Sequence, residues 1–157
     1  MALHWEFSLF LALAASLFFF CFHQSRIQLM FLLIAGWIAV LFTPRLLHLI
    51  PYEFEYGGGI LFLVLLFSFH ILFRLFSARS HAEAALWWQV LIISFLMAGF
   101  ISASLLTTFG LSQLFPLSPL ADKIMGSETA MLVWLLLPLF GMVVLAKRPS
   151  SPATSRP

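Results

Sequence analysis

Long apolar segments separated by short polar ones make up almost the whole chain. Each is close to the roughly 20 residues that a helix needs to cross a bilayer. We predict five transmembrane helices, at residues 5–22, 27–43, 57–76, 84–106 and 129–146. The expected fold is an all-α, polytopic integral membrane protein. Residues 1–148 form its five-helix transmembrane domain, and residues 149–157 form a Pro-, Ser- and Thr-rich tail that we expect to be disordered.

Two boundaries follow from local chemistry. The second helix is predicted to end at Thr43, because Pro44 pushes the residue before it out of helical geometry. The longest loop is predicted at residues 107–127, lying along the membrane surface, and Glu128 then opens the last helix.

The start of the third helix has two interpretations. In the strict one the helix begins at Gly57, and Glu53 and Glu55 lie at the membrane surface. In the generous one it begins near Leu46 and runs through Pro51, which places both carboxylates at membrane depth. An ionisable group inside the bilayer is costly and is by default a functional candidate.

Three consecutive glycines, Gly57, Gly58 and Gly59, follow Tyr56 at this point. Each glycine lowers helix propensity by about 1 kcal/mol relative to alanine. Helix distortions and π-bulges concentrate at weak points and often at functional ones. The triplet is either a loop before a helix or the start of a third helix that changes its winding and carries a π-bulge.

Helix packing and one histidine complete the residue-level predictions. Ser94, Ala98 and Ser102 recur every four residues, so they form one small-residue face that we expect to meet another helix. His70, inside the third helix, is expected to be a hydrogen-bonded packing residue rather than a ligand.

Basic residues set the expected orientation. Six of them fall on one side of the predicted topology and two on the other. The six are Arg26, Arg74, Arg79, Lys147, Arg148 and Arg156, and the two are Arg45 and Lys123. Because cytoplasmic loops are enriched in Lys and Arg, we predict that the amino terminus is outside and the carboxyl terminus is cytoplasmic.

Composition narrows the functional classes. The chain is 62% hydrophobic and 9% charged, and its net charge of +2 is too small to indicate a nucleic-acid partner. Its single cysteine, Cys21, excludes an intrachain disulfide and a thiol metal site. No loop is long enough for a water-soluble active site, and the five histidines are scattered. The functional classes that remain are transport, proton transfer and a structural role in a larger complex.

Residues 56–63 read YGGGILFL. This run resembles the Y-x-G-[GA]-[IM]-x-V-L signature in the third helix of the J subunit of respiratory NADH:quinone oxidoreductase (complex I). That is the NuoJ family, whose mitochondrial members are the sixth ND subunit. Residues 141–148, GMVVLAKR, resemble the family's closing run, and Glu128 stands where the family's last helix opens. The chain departs at Glu55, where the family has valine, and at Pro51 and Glu53.

The resemblance implies a non-catalytic membrane subunit of a proton-translocating NADH:quinone oxidoreductase in a bacterial inner membrane. Its partners would be the other membrane subunits of a large respiratory complex. Quinone, FMN and iron–sulfur clusters would belong to those partners and none to this chain. The implied proton-path and gating residues are Glu53, Glu55, Tyr56, Gly57, Gly58 and Gly59. Two alternatives stay open: an accessory or assembly subunit of another respiratory complex, and a small subunit of a cation/proton antiporter.

Overall fold

The computed structural model describes residues 5–49, 57–77, 85–109 and 117–146, except for the side chains of residues 76, 77 and 144. This part of the chain is helical and contains no β-strand. Its α-helices are α1 (Trp5–Cys21), α2 (Arg26–Leu47), α3 (Gly57–Ser77), α4 (Trp87–Ala103), α5 (Pro119–Ala121) and α6 (Glu128–Ala146). A π-helical segment, Ser104–Thr108, continues α4, and a second, Asp122–Gly126, continues α5.

Several helices are long and apolar enough to cross a membrane. Three meet this requirement by themselves, at Arg26–Leu47, Gly57–Leu75 and Trp87–Thr108. A fourth span results if Pro119–Gly126 and Glu128–Val143, bent by 47° at their junction, are taken as one. Helix α1 is apolar but has 17 residues. The all-α fold is confirmed and its helices are typical of a membrane protein, whereas the five spans and the orientation stay predictions.

The end of α2 differs from the prediction. Thr43 and Pro44 both lie inside the helix, which continues to Leu47. A proline costs the helix one backbone hydrogen bond, but here the last turn packs on α3, and Leu47 contacts the backbone near Gly58. Since Leu46 belongs to α2, the generous start of the third helix near Leu46 is wrong, and Pro51 lies outside the described residues.

Helix α4 lies at the centre and packs against α1, α2 and α6, while α3 packs chiefly on α2. Helices α4 and α6 approach each other closely at Gly99, where a Cβ atom would overlap the six-membered ring of Trp134. The Trp134 indole also donates a 2.8 Å hydrogen bond to the carbonyl of Ile124, in the second π-helical segment. One side chain therefore fixes both the α4–α6 distance and the fold of the preceding segment.

The small-residue face of α4 is confirmed in part. Ser94 and Ala98 are buried among neighbouring helices, and the Ser94 hydroxyl donates to the carbonyl of Val90 at 2.8 Å. Ser102 is only half-buried and lines a cavity beside α1. The small-residue face therefore allows close helix packing at Ser94 and Ala98 but not at Ser102, which borders the cavity.

The long loop predicted at 107–127 is largely helical in its described parts. Thr107 and Thr108 belong to the first π-helical segment, and α5 starts inside the predicted loop. Ser118 caps α5, since its hydroxyl accepts the Ala121 N–H at 3.3 Å. Residues 110–116 lie outside the described part of the chain, as does the predicted disordered tail. Glu128 opens α6, as predicted.

We expect Gly99→Ala to lower the free energy of unfolding by about 1–3 kcal/mol, because the added methyl group forces Trp134 out of its position. Thermal unfolding of the detergent-solubilised protein measures the effect. Gly141→Ala is the matched control on the same helix pair. Its Cβ would lie 2.7 Å from Ile93 Cδ1, the end of a flexible side chain that moves easily. Equal midpoints for the two variants would contradict the importance of the Gly99 contact.

Candidate functional site

Three of the six predicted proton-path and gating residues lie in the part of the chain that the structure describes, and three lie outside it. Gly57, Gly58 and Gly59 form the first turn of α3. Glu53, Glu55 and Tyr56 lie outside the described residues. Because Gly57 is the first described residue after this gap, the strict start of the third helix at Gly57 and the depth of the two carboxylates both stay predictions.

Gly58 is the point where three helices meet. A Cβ atom on it would lie 2.8 Å from Phe109 Cδ1 and 3.3 Å from Leu47 Cδ1. Leu47 ends α2, and Phe109 directly follows the first π-helical segment. The absence of a side chain on Gly58 thus allows the end of α2 and the end of the α4 extension to approach the start of α3.

Aromatic packing continues this contact into the bundle. Phe62, one turn beyond Gly58 on α3, is 0% exposed. Its ring centroid lies 5.3 Å from that of Phe109 and 6.5 Å from that of Phe100 on α4. The start of α3 is therefore packed against both the regular part of α4 and the residue that follows its π-helical segment.

The π winding is in a different helix from the one predicted. Over Gly57–Ser77, α3 is an α-helix, and the π-bulge expected there does not occur within these residues. The π-helical segment instead extends α4, where the Thr107 hydroxyl donates to the carbonyl of Ala103. Such back-bonding by threonine competes with the regular helical ladder. Thr43 and Ser94 make the same kind of hydrogen bond inside regular α-helix, so this back-bonding by itself is not a sequence signal for π winding.

A buried carboxylate lies near this end of the bundle. Glu6, in the first turn of α1, is 7% exposed. Its Oε1 accepts the backbone N–H of Ser118 at 2.9 Å, which joins α1 to the cap of α5. Because Ser118 is far away in sequence and the connection is tertiary, no local pattern around Glu6 predicts this burial.

A buried polar pair occupies the opposite end. His70 is 2% exposed, and its Nε2 lies 3.3 Å from the Nε2 of Gln24, in the turn between α1 and α2. The Phe20 ring centroid is 5.4 Å from the imidazole. His70 is therefore a hydrogen-bonded packing residue, as predicted. Within the described residues, no group of three or more His, Cys, Asp or Glu side chains could hold a metal ion.

We expect the Gly58 contact to appear as coupling between two positions. In the wild-type background Gly58→Ala places a methyl group against Phe109, and this overpacking opposes a helix-propensity gain of up to about 1 kcal/mol. In a Phe109→Leu background, where the ring is absent, the same substitution is expected to stabilise the protein. Unfolding midpoints of the four proteins test this. Identical effects of Gly58→Ala in both backgrounds would contradict the contact.

We expect Gln24→Leu to lower the free energy of unfolding by about 1–3 kcal/mol, because it leaves the buried imidazole of His70 without its hydrogen-bonding partner. The double variant Gln24→Leu with His70→Phe should recover part of this loss, since both polar groups are then removed. The same unfolding assay applies, with His70→Phe alone as the control. Strictly additive losses would exclude an interaction between the two side chains.

Comparison with known proteins identifies neither a family nor a function for this chain. The chain matches no protein-family model, no curated protein and no solved structure. Its function therefore has to be argued from its own residues and from the contacts at Gly58, Glu6 and His70.

Proposed function

We propose that the chain is a membrane subunit of a proton-translocating NADH:quinone oxidoreductase, as the run YGGGILFL at residues 56–63 suggests. The observation that carries the proposal is the position of Gly58. It lies at the start of an apolar helix, in contact with the residue that follows a π-helical segment. The glycine-rich, weakly helical start of α3 therefore contacts the end of the π-helical segment that extends α4. A change of winding in one of these two segments could then be transmitted to the other.

The proposed mechanism uses Phe109 as the link between the two helices. Converting the segment Ser104–Thr108 from π to α winding replaces hydrogen bonds between residues five apart by hydrogen bonds between residues four apart, so it rotates Phe109 and shifts it relative to α3. Since Gly58 has no side chain, the ring moves over bare backbone. Rewinding at the start of α3 moves the same surfaces from the other side. Either change is proposed to alter the position of Tyr56, which directly precedes Gly57 in the sequence.

Proton movement is assigned to side chains beside the glycines. We propose that Glu53 or Glu55 holds a proton and that the Tyr56 hydroxyl orients water next to it. The chain itself performs no redox step in this proposal. Quinone, FMN and iron–sulfur clusters are assigned to partner subunits, and the location is a bacterial inner membrane with five spans and the amino terminus outside.

One observation favours a second function, that of an accessory or assembly subunit of another membrane complex, such as a respiratory complex or a cation/proton antiporter. The closeness of Gly58 to Phe109 and Leu47 explains a glycine at that position by packing alone. In this case the glycines allow helices to approach, and no rewinding takes place. The two functions differ in their partners and in their response to neutralised carboxylates.

The test is purification of the tagged protein in mild detergent, with co-purifying subunits identified by mass and the eluate assayed for NADH:quinone reduction. The proposed function predicts recovery with hydrophilic flavin and iron–sulfur subunits and with the activity. Glu55→Gln should then impair proton pumping in reconstituted vesicles, and Glu128→Gln, at the exposed start of α6, is the matched control. Recovery without redox subunits would exclude the oxidoreductase.

If Glu55→Gln and Gly58→Ala both pump like the wild type within a recovered redox complex, gating through α3 is excluded. The accessory function would then account for the glycines. Impaired pumping in Glu55→Gln but not in Glu128→Gln would support the proton path.

A further inference from the structure

A half-open cavity of about 450 Å³ lies where the second π-helical segment joins α6. Helix α5 and this segment together meet α6 at an angle of 47°, which leaves a hollow at the junction. Ile124 of the segment forms one wall, and Ala130, Val133 and Leu137 on α6 form the other. The volume is within the range of small-molecule sites, and the apolar wall along α6 can accompany part of an acyl chain over about 10 Å.

The polar end of the cavity is held in a fixed position relative to α6. The Ser127 hydroxyl accepts the Ala130 N–H at 3.1 Å and donates to the carbonyl of Lys123 at 3.3 Å. The hydrogen bond from the Trp134 indole to the Ile124 carbonyl adds a second connection. The backbone of Lys123 therefore has a defined place at one end of the apolar wall before any ligand binds.

Lys123 is the charged side chain among the described residues that line the cavity. This side chain is exposed and has no hydrogen bond or ion pair with a described residue. Thr129 adds a hydroxyl to the same lining. Ammonium and hydroxyl groups are donors that bind phosphate oxygens. The polar end of the cavity therefore offers donors for an anionic group.

The nearest carboxylates in sequence, those of Asp122 and Glu128, are not among the described residues that line the cavity. Asp122 lies against Gly126, and Glu128 is exposed at the start of α6. The described lining is therefore positive, with no negative charge to neutralise Lys123. Such a lining favours a ligand of net negative charge over one whose phosphate is balanced by a cation of its own.

The open side of the cavity continues into the apolar surface of α6. Val133 is 51% exposed, and Leu136 and Phe140, which follow it on the same face, are exposed as well. In a membrane this surface meets lipid chains. A ligand that reaches the cavity along this surface comes from the bilayer, which favours a lipid over a free phosphate.

We infer that this cavity is a binding site for a phospholipid with a net negative headgroup, of the phosphatidylglycerol class. Its phosphate contacts Lys123 and Thr129, and one acyl chain lies along Val133 and Leu137. The inference is independent of the proposed function, because none of these residues belongs to the Gly58 contact or to the proposed proton path.

The experiment uses phosphatidylglycerol with a diazirine in one acyl chain, present in trace amount in phosphatidylcholine nanodiscs that hold the full chain. After irradiation, mass spectrometry maps the labelled residues. In parallel samples phosphatidylcholine carries the diazirine, or glycerol 3-phosphate is added in solution as a competitor. We expect labels on Val133 and Leu137 that are about fivefold stronger with the phosphatidylglycerol probe, which is the contribution of one lysine at a membrane surface. Glycerol 3-phosphate should not compete.

Matched variants separate charge from shape. Lys123→Gln should abolish the preference for phosphatidylglycerol, and Lys123→Arg should keep it, because the positive charge is retained. Arg45→Gln is the charge control, since Arg45 is an exposed basic residue of α2 outside the cavity. Val133→Trp fills the groove, so labelling of Leu137 should fall several-fold. Leu132→Trp, at an exposed position of α6 outside the cavity, should label like the wild type.

Four results would overturn the inference. Equal labelling by the two lipid probes in the wild type would remove the role of charge. A preference that persists in Lys123→Gln would place the recognition elsewhere, and one that disappears equally in Arg45→Gln would assign it to the net charge of the protein. Competition by glycerol 3-phosphate would mean that a soluble anion occupies the site. Labels spread evenly over the exposed faces of α1 and α6 would mean that the probe only partitions into the bilayer.

Discussion

The close approach of Gly99 to Trp134 is the contact on which the bundle depends. Helices in lipid gain little from the hydrophobic effect when they associate, so close van der Waals packing at small residues decides which faces meet. Because Gly99 presents no Cβ atom, the Trp134 ring lies directly on the backbone of α4. The same indole binds the Ile124 carbonyl and so holds the second π-helical segment. The Trp134 side chain thus stabilises both the α4–α6 contact at the centre of the bundle and the second π-helical segment at its periphery.

Polar groups in the described bundle are concentrated near its two ends. At one end Glu6 accepts the Ser118 N–H, and at the other Gln24 pairs with His70. A polar group moved into an apolar environment is costly unless it is hydrogen-bonded, which explains why each lies against a tertiary partner. Glu6 also lines a cavity between α1, the end of α4 and the α5 segment. The carboxylate at that end is a structural connection between α1 and α5.

The irregular winding and the glycines belong to a single contact although they lie on different helices. The π-helical segment ends next to Phe109, and Phe109 lies against Gly58. A change in either helix must therefore be accommodated by the other. The two proposed functions, proton-path gating and helix packing, would both use this contact, and they differ in whether the segment Ser104–Thr108 changes its winding.

The sequence by itself determined the helical, apolar character of the chain and the start of α6 at Glu128, because apolar length and local polarity are read directly from residue order. It also predicted that His70 is hydrogen-bonded, but only the tertiary structure decided that Gln24, 46 residues away, is the partner. The small-residue face was also predictable at Ser94 and Ala98, since a four-residue repeat lies on one side of a helix. Tertiary structure alone decided that α2 continues through Pro44, that the π winding extends α4, and that Glu6 is buried. Each depends on contacts between residues distant in sequence, such as Leu47 with Gly58 and Glu6 with Ser118, whose energies outweigh the local preferences that a sequence pattern records.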